Sequence, residues 1–403
     1  MSRLCFGILA KRVDWLCHAE RVFTISFLSS CPYSISTETR DAPHVLGKTV
    51  PRTLAEYNYL KSLKPSQPNN PRLLRVAIVG RPNVGKSTLI NHLVQWKICS
   101  VSKKVHTTRH NARTAFIEGD SQIVFVDTPG IVDLDHGKKH SLEATMVVGP
   151  EHSLTNADLV GVMVDASDHW HRDKIDTNIL RLLKAHRDKD AVLILNKVDL
   201  LQSKRKLLEC VHSLTEGVVD GHPTLREKSK KRKPLTAEEL FAKAECILNK
   251  KTNAEIVPES SSGGWPHFKK VFMVSALNDD GVDDIRKYLL HSAKPGSWHF
   301  PKHFVTDQNP HEIAVTTVKS KLLDHLDKEI PYNLAVKVDA WDVDSADVLH
   351  VAISVESSSD RHMKSVIGGE GKIVRTIASE SRQELANTFR CEVSLKLIVR
   401  KAG

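Results

Sequence analysis

Gly80, Gly85, Lys86 and Ser87 stand at the spacing G-x-x-x-x-G-K-[ST], a spacing that wraps the backbone around a phosphate. The two glycines permit angles that turn successive N–H groups onto phosphate oxygens. Arg81, Pro82, Asn83 and Val84 form the loop between them, and Lys86, Ser87 and Thr88 restart the chain as a helix. Lys86 can reach β- and γ-phosphates, and Ser87 can offer a hydroxyl to Mg²⁺. Further on, Asp127-Thr128-Pro129-Gly130 places a carboxylate that can hold Mg²⁺ through water. It also puts the Gly130 N–H where a γ-phosphate would lie. Asn196-Lys197-Val198-Asp199 then supplies base recognition. The Asp199 carboxylate can accept from both N1–H and N2–H of guanine, a donor pair that adenine lacks. Lys197 can lay its alkyl stem on the base, and Ser275-Ala276-Leu277 can offer backbone N–H to the guanine O6. In this order the motifs select GTP/GDP over adenine nucleotides. A polar, basic stretch over 101–110 reads as a loop whose Thr108, or failing that Thr107, completes the Mg²⁺ shell. The expected metal set is Ser87, Thr108 and Asp127. The expected catalytic set is Lys86, Asn83, Thr108 and Gly130.

Such groups need elements to hold them. Apolar runs at Val76–Val79, Ile123–Val126, Leu159–Val164, Ala191–Leu195 and Val271–Val274 read as strands, each ending at a polar signature. Helical spacing separates them, as over Ile175–His186 and Val282–Leu290. That alternation predicts an α/β domain over about 73–294, with a mainly parallel sheet covered on both faces. Ligands in such sheets bind beyond the carboxyl ends of the strands. A long stretch at about 201–265 interrupts the pattern, with Arg226, Lys228 and Lys230–Lys233 as a basic run. A solvated charge run and an accessory contact to RNA phosphates are both open readings of it.

Four features, Gly-Arg-Pro-Asn-Val-Gly-Lys-Ser, Thr-Thr-Arg-His, Asp-Thr-Pro-Gly and Asn-Lys-Val-Asp, make the chain resemble GTPases of the Era family. With the C-terminal part, the resemblance covers about 73–400. It implies that GTP is hydrolysed with Mg²⁺, and that Asn83 stands where relatives use an asparagine to ligate K⁺. The residue after Gly130 is Ile131, so no glutamine orients the attacking water there. Positioning and electrostatics must then carry hydrolysis.

From about 308 to 400 the spacing predicts a small α+β domain in the order αββααβ. Within it Gly368-Gly369-Glu370-Gly371, framed by Ile367 and Ile373, resembles the glycine loop of a type II KH-like domain. The candidate RNA-binding residues are Lys364, Ile367, Gly368, Gly369, Gly371, Lys372, Ile373 and Arg375. Glu370 puts an acid in a phosphate-facing loop. The Era resemblance implies single-stranded small-subunit rRNA, in its 3′ region, as partner, and assembly of the small ribosomal subunit as the role. A slow structural GTP site on an RNA chaperone and a membrane-surface GTPase are the rival readings.

The chain has 403 residues and a formal net charge of +10, which favours an anionic partner. Seven scattered cysteines contain no C-x-x-C pair and suggest neither zinc nor disulfides. No apolar run is long enough to span a membrane. Residues 1–43 are basic, rich in serine and amphipathic, like a mitochondrial transit peptide. The expected location is therefore the mitochondrial matrix, with the basic charge also compatible with a peripheral contact at the inner membrane. Residues 44–72 and 295–307, marked by prolines, read as linkers, the first with a short helix at Leu54–Leu63.

Overall fold

Val76 to Val79 is apolar on both faces and at most 2% exposed. A strand buried on both sides belongs in the middle of a parallel sheet, and that is where the computed structural model puts it. The structure describes residues 23–27, 50–99, 113–127, 154–201, 203–224, 263–327 and 329–402. In chain order, β1 (Phe23–Phe27) and α1 (Leu54–Ser62) precede the nucleotide-type domain. That domain contains β2 (Arg72–Gly80), α2 (Lys86–Val94), β3 (Arg113–Glu118), β4 (Ser121–Asp127) and β5 (Leu159–Asp165). It continues with α3 (Thr177–Ala185), β6 (Asp190–Asn196), α4 (Lys204–Leu214), β7 (Phe268–Met273) and α5 (Val282–Ser292). The strand order is β3-β4-β2-β5-β6-β7, parallel except for β3, which turns back on β4 at Gly119. Helices α2 and α5 bury Leu89, Ile90, Ile285 and Leu289 against one face. Helices α3 and α4 bury Ile179, Leu183, Leu207 and Val211 against the other. The α/β architecture expected from the strand runs is present, with the carboxyl ends of β2, β4, β5 and β6 at one edge.

One ion pair fixes the start of that sheet. Arg75 grips Asp158 with a fork, Nε to Oδ2 at 2.9 Å and Nη2 to Oδ1 at 2.6 Å, and its amide also donates to Oδ2 at 2.9 Å. Burial pushes the Asp158 carboxyl up, but the hydrogen bonds and charge of Arg75 outweigh it and hold the group below its ordinary range. Stability from a depressed carboxylate is full above the unfolded value, near about 3.9, and is lost as pH falls through the folded one. Asp158→Asn should therefore cost about 1 kcal/mol at pH 7, allowing for solvent screening. The cost should shrink at pH 3. Urea unfolding at both pH values checks this, and an equal loss at both contradicts it.

The second domain follows the αββααβ order. It comprises α6 (Pro310–His325), β8 (Ala335–Val343), β9 (Leu349–Ser357), α7 (Asp360–Ile367), α8 (Lys372–Phe389) and β10 (Val393–Lys401). Strand β9 lies between β8, antiparallel, and β10, parallel. Alternate residues Leu349, Val351, Ile353 and Val355, with Leu395, Leu397 and Val399, bury one face. They share a core with Val374, Ile377 and Leu385 of α8 and with Val318 and Leu322 of α6. Reading 1–43 only as an address gives no hint of β1. It pairs antiparallel with β10, Phe23 opposite Val399 and Phe27 opposite Leu395, as a fourth strand.

The described residues of both expected linkers, from Val50 on in the first, are docked on the folded chain. Val50 is 2% exposed, the Arg52 carbonyl accepts from Trp341 Nε1 at 2.6 Å, and the Arg52 guanidinium meets Asp347 at 2.5 Å. In α1, Tyr57 donates to the Asp307 carbonyl at 3.0 Å, and Leu60 packs with Phe300 and Phe304. Gln122, fully buried in β4, donates to the Phe300 carbonyl at 2.9 Å and accepts from the His299 amide at 2.8 Å. Prolines remove amide donors, but the apolar residues between them still seek cover.

Candidate functional site

The glycine loop after β2 is fixed by steric demands. A Cβ on Gly80 would stand 2.6 Å from the Met163 carbonyl oxygen of β5. Gly85, the N-cap of α2, has φ 104°, and a Cβ there would meet Asn196 Nδ2 at 2.3 Å. Between them Asn83 is exposed and adopts φ 60°, a left-handed angle that asparagine tolerates. Lys86 is only 7% exposed, and its ammonium donates to the carbonyls of Gly80 at 3.1 Å and Arg81 at 3.0 Å. These neutral partners hold a buried cation at the centre of the loop, and the dipole of α2 adds to its positive field. Ser87 and Thr88 follow in the first turn, both partly exposed. The register of β2 against β4 sets Ile78 opposite Asp127, so the carboxyl end of β4 lies beside the loop. Thr107, Thr108, Thr128, Pro129, Gly130 and Ile131 lie outside the described residues, as do the side chain of Asp127 and the basic run at 226–233.

Asn196 ties the next two motifs to the loop. Its Nδ2 donates to the Val84 carbonyl at 2.7 Å, and its Oδ1 accepts from the Ala276 amide at 2.9 Å. With a side chain 3% exposed it staples the phosphate loop to the Ser275 loop. Lys197 sits at φ 62° and its ammonium meets Asp165 at 2.5 Å, while the Val198 amide donates to the Val274 carbonyl at 3.3 Å. These contacts leave Asp199 exposed on a short 3₁₀ turn, Val198–Leu200. Of the three amides expected to face the guanine O6, two are engaged within the protein. Ser275 donates to the Asp280 carbonyl at 3.0 Å and Ala276 to Asn196. Among the described residues, the Leu277 amide donates to no other group.

Asp165 is the residue that sequence reasoning missed. It ends the apolar run of β5 at the sheet edge where polar groups matter, which was its available signal. A hollow of about 180 Å³ lies against the outer side of the loop, lined by Arg81, Asn83, Asp165, Asp176 and Lys197. Arg81 spans it to Asp176 at 3.3 Å.

In the second domain the loop from Gly368 to Gly371 joins α7 to α8. Gly368 has φ 71°, and a Cβ there would meet Ile373 at 2.6 Å. Gly371 has φ 73° and begins α8, whereas Gly369 has open space around it. Glu370 takes a left-handed angle of 53°, and its carbonyl accepts from Arg375. Lys364, Lys372 and Arg375 are exposed, while Ile367 and Ile373 are half-buried between them. The eight residues expected to contact RNA lie in this loop and on the adjoining turns of α7 and α8. Glu370 points its acid outward but lends its backbone to hold Arg375.

A glycine loop around a buried lysine, a strand-end carboxylate and an Asn-Lys-x-Asp turn define a guanine-nucleotide-binding P-loop protein, here joined to a KH-like domain. Residues 75–197 match the family described as "50S ribosome-binding GTPase". The chain is 39% identical over 382 residues to "GTPase Era, mitochondrial" of Salmo salar, covering 90% of this chain and 84% of that one. Among solved structures it resembles an Aquifex aeolicus Era variant bound to GDP·AlF4⁻, with a TM-score of 0.61 and 25% identity. The match covers 82% of this chain and 94% of that one. It also resembles Era in complex with MgGDPNP and nucleotides 1506–1542 of 16S ribosomal RNA, at a TM-score of 0.58, 25% identity and the coverages 82% and 94%. The chain belongs to the Era family, and it is a GTPase.

Proposed function

We propose that the protein is a GTP-regulated factor that holds the single-stranded 3′ region of mitochondrial small-subunit rRNA and assists small-subunit assembly in the matrix. The observation that carries this reading is the loop Gly368–Gly371, set between two helices with three exposed cations and two half-buried isoleucines beside it. Gly369 lets an RNA backbone approach, Lys364 and Lys372 meet phosphates, and Ile367 and Ile373 offer apolar ground to unstacked bases. The rRNA in the Era complex and the mitochondrial names of the relatives support the choice of partner and compartment. Among the described residues no helix is long and apolar enough to cross a membrane.

In the nucleotide site, Lys86 and the loop amides neutralise the β- and γ-phosphates, and Asp199 reads the base with help from the Leu277 amide. Ser87 and Asp127 are hard oxygen donors of the kind Mg²⁺ takes, and the ion would offset charge on the transferring phosphoryl group. Asn83, exposed beside that hollow, is the residue we assign to a K⁺ ion acting in place of an arginine finger. Hydrolysis should then run severalfold faster in KCl than in NaCl, and equal rates would remove the potassium.

Binding of a fluorescent 3′-end small-subunit rRNA oligonucleotide tests the main reading. Gly369→Asp fits the space available but adds a negative charge, so affinity should fall at least about tenfold while the melting temperature holds. Lys372→Ala should lower the salt slope of binding by about 0.7. Wild-type affinity in Gly369→Asp would refute the assignment of this loop to RNA.

A further inference from the structure

Strand β1 occupies the outer edge of β10, which would otherwise be the last strand of the second domain's sheet. The pairing is antiparallel over five residues, from Phe23 opposite Val399 to Phe27 opposite Leu395. The αββααβ unit has a core of its own beneath that edge. Met363 and Val366 of α7 and Val374 and Ile377 of α8 pack in one cluster with Leu395, Leu397 and Val399 of β10. β1 is thus an addition to a finished domain, and a short strand at a sheet edge is among the parts of a fold that open most easily.

The edge it takes borders the glycine loop. Lys401, at the end of β10, meets Asp360, the first residue of α7, at 3.4 Å. Helix α7 has eight residues, so it is about 12 Å long. It ends at Ile367, and the loop from Gly368 to Gly371 follows directly. Helix α8 ends at Phe389 and β10 begins at Val393, so the strand runs back along the helix toward that loop. Phe23, opposite Val399, therefore lies toward the loop's end of β10, and the backbone of β1 also comes within 8 Å of α8.

An open strand edge presents a row of backbone N–H and C=O groups. Unstacked bases of an RNA strand clamped at a KH-type loop carry donors and acceptors on their Watson–Crick edges. Ile367 and Ile373, half-buried beside the loop, give those bases apolar ground, and the edge of β10 gives them hydrogen-bonding partners. β1 spends the same backbone groups on strand pairing. One edge cannot serve both.

We propose that the outer edge of β10 is a base-binding surface with two alternative occupants, unstacked RNA bases and the chain's own β1. While β1 is seated it keeps RNA off, and its release opens the site. The expected address, residues 1–43, contains β1, so a cut that removes the address also uncovers the RNA surface. The inference rests on the RNA-binding reading above and adds its regulation.

The test uses the full chain, with GDPNP present throughout, and the 3′-end small-subunit rRNA oligonucleotide. Neighbouring residues of an antiparallel strand point their amides to opposite sides, so Thr24→Pro combined with Ile25→Pro removes a donor to β10. Hydrogen exchange should then quicken at alternate β10 amides between Leu395 and Val399. RNA affinity should rise at least about tenfold, the gain expected where β1 holds the edge about nine-tenths of the time. A synthetic peptide of residues 20–30, added in excess to the variant, should return RNA affinity toward that of the unaltered chain. Equal RNA affinity in the two chains would overturn the proposal, as would a gain that the peptide cannot reverse. No RNA binding by either chain would instead refute the RNA-binding reading on which the competition stands.

Discussion

Replacing Asp199 with asparagine should cut GTP affinity by about 10²- to 10⁴-fold and turn preference toward xanthosine triphosphate. In the proposed base site the carboxylate takes two donors from guanine, and hydrogen bonds to a charged group are worth about 1.5–3 kcal/mol each. Xanthine carries a carbonyl where guanine carries the exocyclic amine, so the Asn amide can donate there while its oxygen still accepts from N1–H. The turn itself should survive. Asp199 is exposed, and the local backbone is held by Lys197 on Asp165 and by Val198 on Val274. Calorimetric titration of both nucleotides, with a melting curve as control, reads the result. Unchanged GTP affinity would take Asp199 out of the base site.

Gly85→Ala should be the most damaging single methyl in the nucleotide domain. The backbone there has φ 104° and the added carbon meets Asn196 Nδ2 at 2.3 Å. Left-handed strain costs about 1–2 kcal/mol for a residue with a Cβ. Displacing Asn196 also frees the Val84 carbonyl and the Ala276 amide, two buried groups worth about 1–3 kcal/mol each when left unpaired. We expect nucleotide affinity to fall at least about 100-fold, with a clear drop in melting temperature. Gly119→Ala makes the control. Its φ is also positive, at 57°, but a Cβ there meets nothing within 4 Å. It should lose only the strain and bind GTP normally. Similar behaviour of the two variants would show that the contact with Asn196 carries no weight.

The central strands were legible because a strand buried on both faces must be apolar at every position, as Val76 to Val79 are. The loops after them were legible because phosphate geometry requires glycine at fixed spacing. Strand β3 was not. Arg113 and Glu118 at its ends give Arg-Thr-Ala-Phe-Ile-Glu the look of a short polar connection, and only pairing with β4 makes it a strand. Helix α4 was hidden in the 201–265 stretch because its charged face dominates the composition, although Leu207, Val211 and Leu214 keep helical spacing. The grip of Asp165 on Lys197 and of Asn196 on Ala276 joins residues from different strands, and no local pattern announces such a pair. The αββααβ order was legible from spacing, whereas the hydrogen bond from the Trp96 indole N–H to the Thr388 carbonyl was not, since a lone tryptophan after a helix says nothing about what its N–H will find.

The docked segment around Val50 limits where the chain would tolerate cleavage. Val50, Arg52 and Tyr57 form a strap that meets Trp341 and Asp347 in the second domain and the Asp307 carbonyl beside the first. A protease cut in the proline-rich stretch after Leu63 looks harmless in the sequence. It would remove the strap and uncover Phe300 and Phe304, which Leu60 now shields. A cut ahead of Val50 would leave the strap in place, and one between Phe27 and Val50 would also part β1 from the chain that carries β10.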